Sequence, residues 1–134
     1  ISEILIELLA AIFFFAVTIF GYTGTAADYY STIYDKTNVE LILRNERLFK
    51  PYLACILEKG PCTADARAFK TTFPHAITTN CARCNSRQKD MAIMIIRHLK
   101  EHRPEAYSEL IRKYDPDNQF IEKFNEFLEQ EHYR

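Results

Sequence analysis

The sequence predicts an all-α protein, a compact single domain of about six helices that follows an apolar leader. Two observations predict this class. The apolar residues recur at helical spacing almost everywhere after residue 38, and Gly60 is the only glycine after Gly24. The 134 residues less a leader of 27 leave 107 residues, which is enough for one domain around one core.

The N-terminal segment 1–27 has the features of a secretory signal peptide. Residues 8–20 are apolar apart from Thr18, a length that suits a secretory apolar region and is short for a membrane span. Thr25 and Ala27 then occupy the −3 and −1 positions of a cleavage site before Asp28. We expect residues 28–134 to be secreted to the extracellular space, with no stable membrane insertion after cleavage. The alternatives are an uncleaved anchor and a buried helix of the domain.

The charge balance excludes partners that need a strongly basic protein. The chain has 17 basic and 18 acidic residues, and removal of Glu3 and Glu7 with the leader leaves 17 against 16. A net charge near +1 favours neither nucleic acid nor a strongly anionic membrane surface. We expect a monomer without a nucleic-acid partner.

Three short helices are predicted in the first half of the domain. The first follows Asn38 and carries Val39, Ile42 and Leu43. The second follows Asn45 and presents Leu48, Tyr52, Cys55 and Ile56 until Gly60 and Pro61 end it. Thr63 is a suitable N-cap for the third, which carries Ala66, Phe69 and Phe73 until Pro74 stops it. Pro51 falls inside the second helix, where it deletes one backbone hydrogen bond and bends or delays the helix.

Three longer helices are predicted in the second half. The fourth begins at Asn85 or Ser86 and contains MAIMIIRHL, which is apolar around most of its circumference and is therefore expected in the middle of the domain. Met91 and Met94 fill space there. The fifth begins at Pro104 and the sixth follows the turn DPDN. Their apolar residues are Tyr107, Leu110, Ile111 and Tyr114, then Phe120, Phe124, Phe127 and Leu128.

The cysteines have the spacing C-x6-C-x18-C-x2-C, from Cys55 and Cys62 to Cys81 and Cys84. A zinc site is disfavoured because the first pair is too widely spaced and a secreted chain oxidises its thiols. A catalytic dithiol is disfavoured because no strands accompany the C-x-x-C. Disulfides remain, with three possible connectivities, and the turn at Gly60 and Pro61 favours two local rings.

No pattern of catalytic residues predicts an enzyme. The sequence lacks a glycine-rich phosphate loop, G-x-S-x-G and H-E-x-x-H. His98 and His102 lie four apart on one helix, but no carboxylate completes a metal site, and a solvated pair near a helix C-terminus is the simpler interpretation. We expect no metal and no cofactor.

The cysteine spacing, the segment LEKGPCT and the segment KYDPDN together resemble the insect chemosensory proteins, also called the OS-D family. The resemblance covers about residues 28–130. It implies six helices around an internal apolar channel, the disulfides Cys55–Cys62 and Cys81–Cys84, and secretion.

The resemblance also implies a set of residues that line the channel. Seven residues match lining positions of the family: Tyr34, Tyr52, Phe69, Phe73, Ile77, Tyr107 and Phe124. We add Leu43, Leu48 and Ile111, which gives ten predicted ligand-binding residues. The family often has tryptophan where Tyr107 stands, and this chain has no tryptophan.

Two functions from different classes follow. The first is a secreted carrier that binds small hydrophobic ligands, such as long-chain lipids, fatty acids, alcohols and semiochemicals, in the channel. The second is a secreted interaction or developmental protein that presents its surface to another protein. Aromatic side chains around a cavity favour the carrier, whereas an exposed patch of Tyr29, Tyr30, Phe120 and Phe127 favours the interaction protein.

Overall fold

The computed structural model describes residues 2–22 and 29–133, and within these ranges every regular element is a helix. The helices are α1 (Ser2–Tyr22), α2 (Val39–Arg44), α3 (Glu46–Ile56), α4 (Ala64–Thr79), α5 (Ser86–His102), α6 (Pro104–Tyr114) and α7 (Ile121–His132). The all-α prediction is confirmed, and α2 to α7 correspond to the six predicted helices.

Helix α1 stands apart from the packed helices. Its side chains Ile4, Leu9 and Ile12 are each more than half exposed, and the extensive helix pairings all join members of α2 to α7. None of the described helices has the length and apolar content needed to cross a membrane. The predicted cleavage positions Thr25 and Ala27 lie outside the described residues, so the signal peptide stays a prediction.

Asparagine side chains begin both α2 and α3. The Asn38 side-chain oxygen accepts from the Leu41 amide at 3.0 Å, and that of Asn45 accepts from the Arg47 amide at 3.0 Å. Pro51 does not delay α3, which starts at Glu46 directly after its cap and runs without interruption to Ile56.

The end of α3 differs from the prediction. Glu58, not Gly60, takes the left-handed conformation, with φ 61°. The Glu58 amide donates to the Cys55 carbonyl and the Lys59 amide to the Ala54 carbonyl, which is a Schellman ending. Gly60 serves packing instead, because a β-carbon there would lie 3.3 Å from the Ala54 β-carbon.

The prediction that Pro74 ends its helix is wrong. Helix α4 continues through Pro74 to Thr79, and Asn80 ends it in the left-handed conformation with φ 50°. Proline there removes one backbone hydrogen bond. On either side of Pro74, the side chains of Phe73, Ala76 and Ile77 are buried. Their packing outweighs the lost backbone hydrogen bond.

The second half follows the predicted boundaries. Asn85 and Gln88 form a capping box at the start of α5, and Pro104 occupies the first turn of α6. Helix α7 has no cap from its own flanking residue. Instead, the buried Asp115 carboxylate accepts from the amides of Gln119, Phe120 and Ile121 at 2.9 to 3.1 Å.

The core forms where α5 meets its neighbours. Helix α5 packs against α2, α6 and α7, while α4 packs against α3 and α7. Phe124, Ile77 and Leu110 are among the largest fully buried side chains. The core is therefore shared by helices from both halves of the chain.

Two disulfides close local rings beside this core. Cys55 pairs with Cys62 and Cys81 with Cys84, with Cα–Cα distances of 5.0 and 4.9 Å. This is the pairing implied by the resemblance, and it is confirmed. Because each ring spans few residues, neither disulfide ties distant segments together.

Candidate functional site

A cavity of about 310 Å³ lies inside the bundle formed by α2 to α7. Its inner wall is apolar and includes Ile96, Leu99, Leu110 and Phe124, all of which are buried. These residues also belong to the continuous hydrophobic core. The core and the cavity wall are thus made by the same side chains.

A non-helical segment, residues 30–37, covers one side of the cavity, and we call it the strap. Its residues Tyr30, Tyr34 and Asp35 line the cavity, as does Ile33, whose side chain is 72% exposed. Since Ile33 contacts both the cavity and solvent, the strap marks the boundary between the interior and the surface.

Hydrogen bonds hold the strap to α4, α5 and the loop between them. The Tyr30 amide donates to the Arg83 carbonyl at 2.9 Å, and the Tyr30 hydroxyl shares a hydrogen bond with His75 Nδ1. Farther along, Asn85 and Gln88 side-chain amides donate to the Asp35 carboxylate at 2.7 and 3.0 Å. The strap is fixed at both of its ends.

Aromatic side chains form the wall contributed by α4. The Phe69 and Phe73 rings stack with centroids 5.4 Å apart, and Phe73 meets Tyr114 edge to face at 5.7 Å. The Tyr114 hydroxyl donates to the Ile56 carbonyl on α3. Burial raises the pKa of Tyr114, so the hydroxyl stays protonated and remains a donor.

A polar pair interrupts the apolar lining between α3 and α4. The Tyr52 hydroxyl donates to Asp65 Oδ2. Burial alone would raise the pKa of Asp65, but hydrogen bonds from Thr63, Tyr52 and the Ala66 amide outweigh it and lower that pKa. Burial and the hydrogen bond to Asp65 together raise the pKa of Tyr52. At neutral pH the pair is therefore a neutral phenol donating to a carboxylate.

The ten predicted ligand-binding residues fall into two groups. Six of them line the cavity: Tyr34, Leu43, Tyr52, Phe69, Phe73 and Phe124. The other four, Leu48, Ile77, Tyr107 and Ile111, do not belong to the lining. Whether any of the ten contacts a ligand stays a prediction.

Each of the four residues outside the lining has another position. Leu48 is 37% exposed on the outer face of α3, while its neighbour Phe49 is buried and lines the cavity. Ile77 and Ile111 are buried in the core. The Tyr107 hydroxyl accepts from the Asn125 side-chain amide at 3.1 Å, between α6 and α7.

Much of the wall contributed by α5 and the strap was not predicted from the sequence. Met91, Ala92, Ile95 and Leu99 of α5 all line the cavity. Because α5 is apolar around most of its circumference, its sequence does not reveal which face meets open space. The strap has no helical period, so its inward residues other than Tyr34, which the resemblance supplied, have no detectable signal.

The aromatic residues proposed for a surface patch do not all face outward. Tyr29 and Phe120 are exposed, at 66% and 37%. Tyr30, however, lines the cavity, and Phe127 stacks on the buried Phe124 with centroids 6.5 Å apart. Two of the four aromatics therefore point to the interior.

Among residues 2–22 and 29–133, no group of three histidine, cysteine or acidic residues is arranged so that it could hold a metal ion. The His98 and His102 rings lie 4.9 Å apart on α5. Burial, His102 and Arg103 lower the pKa of His98. The pair is an isolated one without a third ligand.

Sequence comparisons connect this geometry to known proteins. The sequence model described as the insect pheromone-binding family, A10/OS-D, matches residues 30–122. Allergen Tha p 1 of Thaumetopoea pityocampa is 44% identical over 100 residues, which cover 75% of this chain and 79% of the allergen. Ejaculatory bulb-specific protein 3 of Drosophila melanogaster is 36% identical over 110 residues, covering 81% of this chain and 87% of that protein.

A solved structure of a chemosensory protein in complex with bromo-dodecanol is also similar. It has a TM-score of 0.67 and 33% sequence identity, and the match covers 72% of this chain and 97% of the other. The similarity therefore includes both the sequence and the arrangement of the helices.

Proposed function

This chain belongs to the A10/OS-D insect pheromone-binding family, and from that premise we propose that it carries small hydrophobic ligands in the cavity beneath the strap. The observation that carries the proposal is the cavity itself, about 310 Å³ of space with a mainly apolar lining. Its volume lies within the range of small-molecule sites, near the lower end. A similar protein has been solved with bromo-dodecanol, which supports a ligand with an alkyl chain.

The cavity volume sets an expected ligand size. At about 30 Å³ for each non-hydrogen atom, the volume of one water molecule, the cavity holds at least about ten such atoms. Each buried methylene contributes up to about 0.8 kcal/mol, or roughly fourfold in affinity. Affinity should therefore rise with chain length and level off at about ten to twelve carbons.

We further propose that residues 1–27 are a secretory signal peptide and that residues 28–134 act as a secreted monomer. The exposed apolar side chains among residues 4–12 support removal of this segment, since the extensive helix pairings all join members of α2 to α7. The two disulfides support an oxidising compartment. The proposed role is binding and transport, without catalysis.

The test is displacement of a fluorescent apolar probe from the oxidised chain of residues 28–134 by primary alcohols of six to sixteen carbons. We expect affinity to increase with length and to level off at about ten to twelve carbons. If a well-folded protein takes up no probe, the core is solid and the surface-interaction function takes precedence.

Two variants locate the site. Phe73→Ala removes a wall residue and should move the plateau to chains longer by about two to three carbons. Tyr107→Ala is the matched control, because it removes an aromatic side chain outside the lining and should leave the length series unchanged. An equal response of the two variants, both folded by circular dichroism, would contradict this location.

A further inference from the structure

The charged groups of the cavity lining all have one sign. Among the described residues that line it, none is lysine, arginine or histidine, and the only charged groups are the carboxylates of Asp35 and Asp65. Asp35 belongs to the strap and Asp65 to the first turn of α4. A bound molecule therefore meets acidic groups from two separate segments and no cation.

Asp65 accepts its hydrogen bonds from neutral donors. Its Oδ1 accepts from the Thr63 hydroxyl at 2.5 Å and the Ala66 amide at 3.0 Å, and its Oδ2 accepts from the Tyr52 hydroxyl. The backbone amide of Asp65 also hydrogen-bonds to this carboxylate, so every donor to it is neutral. Its lowered pKa keeps the group ionised at neutral pH.

Asp35 has neutral partners as well. Each of its carboxylate oxygens accepts one hydrogen bond, from the Asn85 and Gln88 side-chain amides. Arg87 approaches the strap, but its Nε donates to the Asp35 backbone carbonyl at 3.0 Å. In the part of the chain that the structure describes, neither carboxylate is in an ion pair.

We propose that this cavity selects ligands with neutral hydrogen-bonding head groups, primary alcohols above all, and discriminates against carboxylates of the same chain length. The inference rests on the proposed carrier function and specifies its ligand class. An alcohol can donate its hydroxyl to Asp35, whose carboxylate oxygens each accept one hydrogen bond from a described residue. A carboxylate can only accept, and it would meet like charge without a compensating cation in the lining.

The lining also contains a donor that suits neutral acceptors. The Tyr34 hydroxyl makes no hydrogen bond among the described residues, and it lies on the strap next to Asp35 in sequence. An ester carbonyl can accept from this hydroxyl without bringing a charge near Asp35. Neutral esters therefore belong to the same favoured class as alcohols.

The experiment compares decan-1-ol, methyl decanoate and decanoate as competitors of the fluorescent probe at pH 7.5. The two neutral compounds should displace the probe at concentrations at least about tenfold below decanoate. Equal displacement by decanoate and decan-1-ol would overturn the inference while leaving the carrier function intact. Failure of all three to displace a bound probe would instead reject the carrier function.

Charge-removing variants separate this effect from the higher water solubility of decanoate. Asp65→Asn and Asp35→Asn should each improve decanoate binding by about threefold or more with little gain for decan-1-ol. Asp90→Asn is the matched control, since Asp90 is an exposed acid on α5 outside the lining. An unchanged ratio in both lining variants would refute the proposal. Using two variants protects the test, because Asp65 also supports the start of α4.

Discussion

Replacement of Asp115 tests how α7 is held to the rest of the bundle. This carboxylate is 3% exposed and accepts three amide hydrogen bonds from the start of α7. Asp115→Ala leaves all three amides without their acceptor. At about 1 kcal/mol for each lost bond, the free energy of unfolding should fall by about 3 kcal/mol. Asp115→Asn keeps one accepting oxygen and should lose about half as much.

The pH dependence gives a second, independent readout. Burial would raise the pKa of Asp115, but the amides of Ile121, Phe120 and Gln119 outweigh burial and lower it. A carboxyl with a lowered folded pKa stabilises the protein above its unfolded pKa of about 4, and this stability is lost as the pH falls through the folded value. The difference between wild type and Asp115→Asn should therefore be full at pH 7 and shrink below about pH 4.

The assay is urea unfolding followed by far-UV circular dichroism at pH 7 and at several lower values. Asp117→Ala is the control, because Asp117 lies in the same turn but is exposed, and it should change stability by less than about 0.5 kcal/mol. If Asp115→Ala matched this control, the carboxylate would not be what begins α7. A wild-type advantage that persisted unchanged at pH 2 would refute the ionised-acceptor mechanism.

Two further outcomes follow from the fold. Reduction of Cys55–Cys62 and Cys81–Cys84 should lower stability by about 2 kcal/mol for each small ring without abolishing the helices, so complete loss of the far-UV helical signal would contradict the local role of these disulfides. Expression of residues 1–134 in a secreting insect cell should yield a secreted protein that begins at Asp28, as N-terminal sequencing would establish. Retention of residues 1–27 on the secreted protein would reject the signal peptide.

Sequence reasoning located the helices well where side chains cap them. Asn38, Asn45, Thr63 and Asn85 each begin the helix that they predict, because a cap acts on amides only two or three residues away. It failed at Pro74 and Gly60, where the outcome depends on tertiary contacts. Packing of the flanking apolar residues allows α4 to continue through Pro74. The close approach of Ala54 explains why a residue without a β-carbon suits position 60.

The site was predicted less completely for a related reason. Helical spacing identifies Phe69 and Phe73 as inward residues, and both line the cavity. The same spacing also selects Ile111, and the resemblance adds Ile77, but both are buried without reaching the cavity. A buried residue beside open space and one beside other side chains have the same sequence pattern. Only the packing of the helices separates them.

Because the core and the cavity wall share side chains, binding of a ligand changes the stability of the folded protein. In sealed engineered cavities, open apolar space loses contacts worth about 24 cal/mol per Å³. Because this cavity reaches solvent beside Ile33, its 310 Å³ set an upper bound of about 7 kcal/mol. That is comparable with the entire folding stability of an ordinary domain of this size. An alkyl chain in the interior restores those contacts, so a loaded molecule resists unfolding and proteolysis longer than an empty one. Delivery of its cargo then also shortens the lifetime of the carrier.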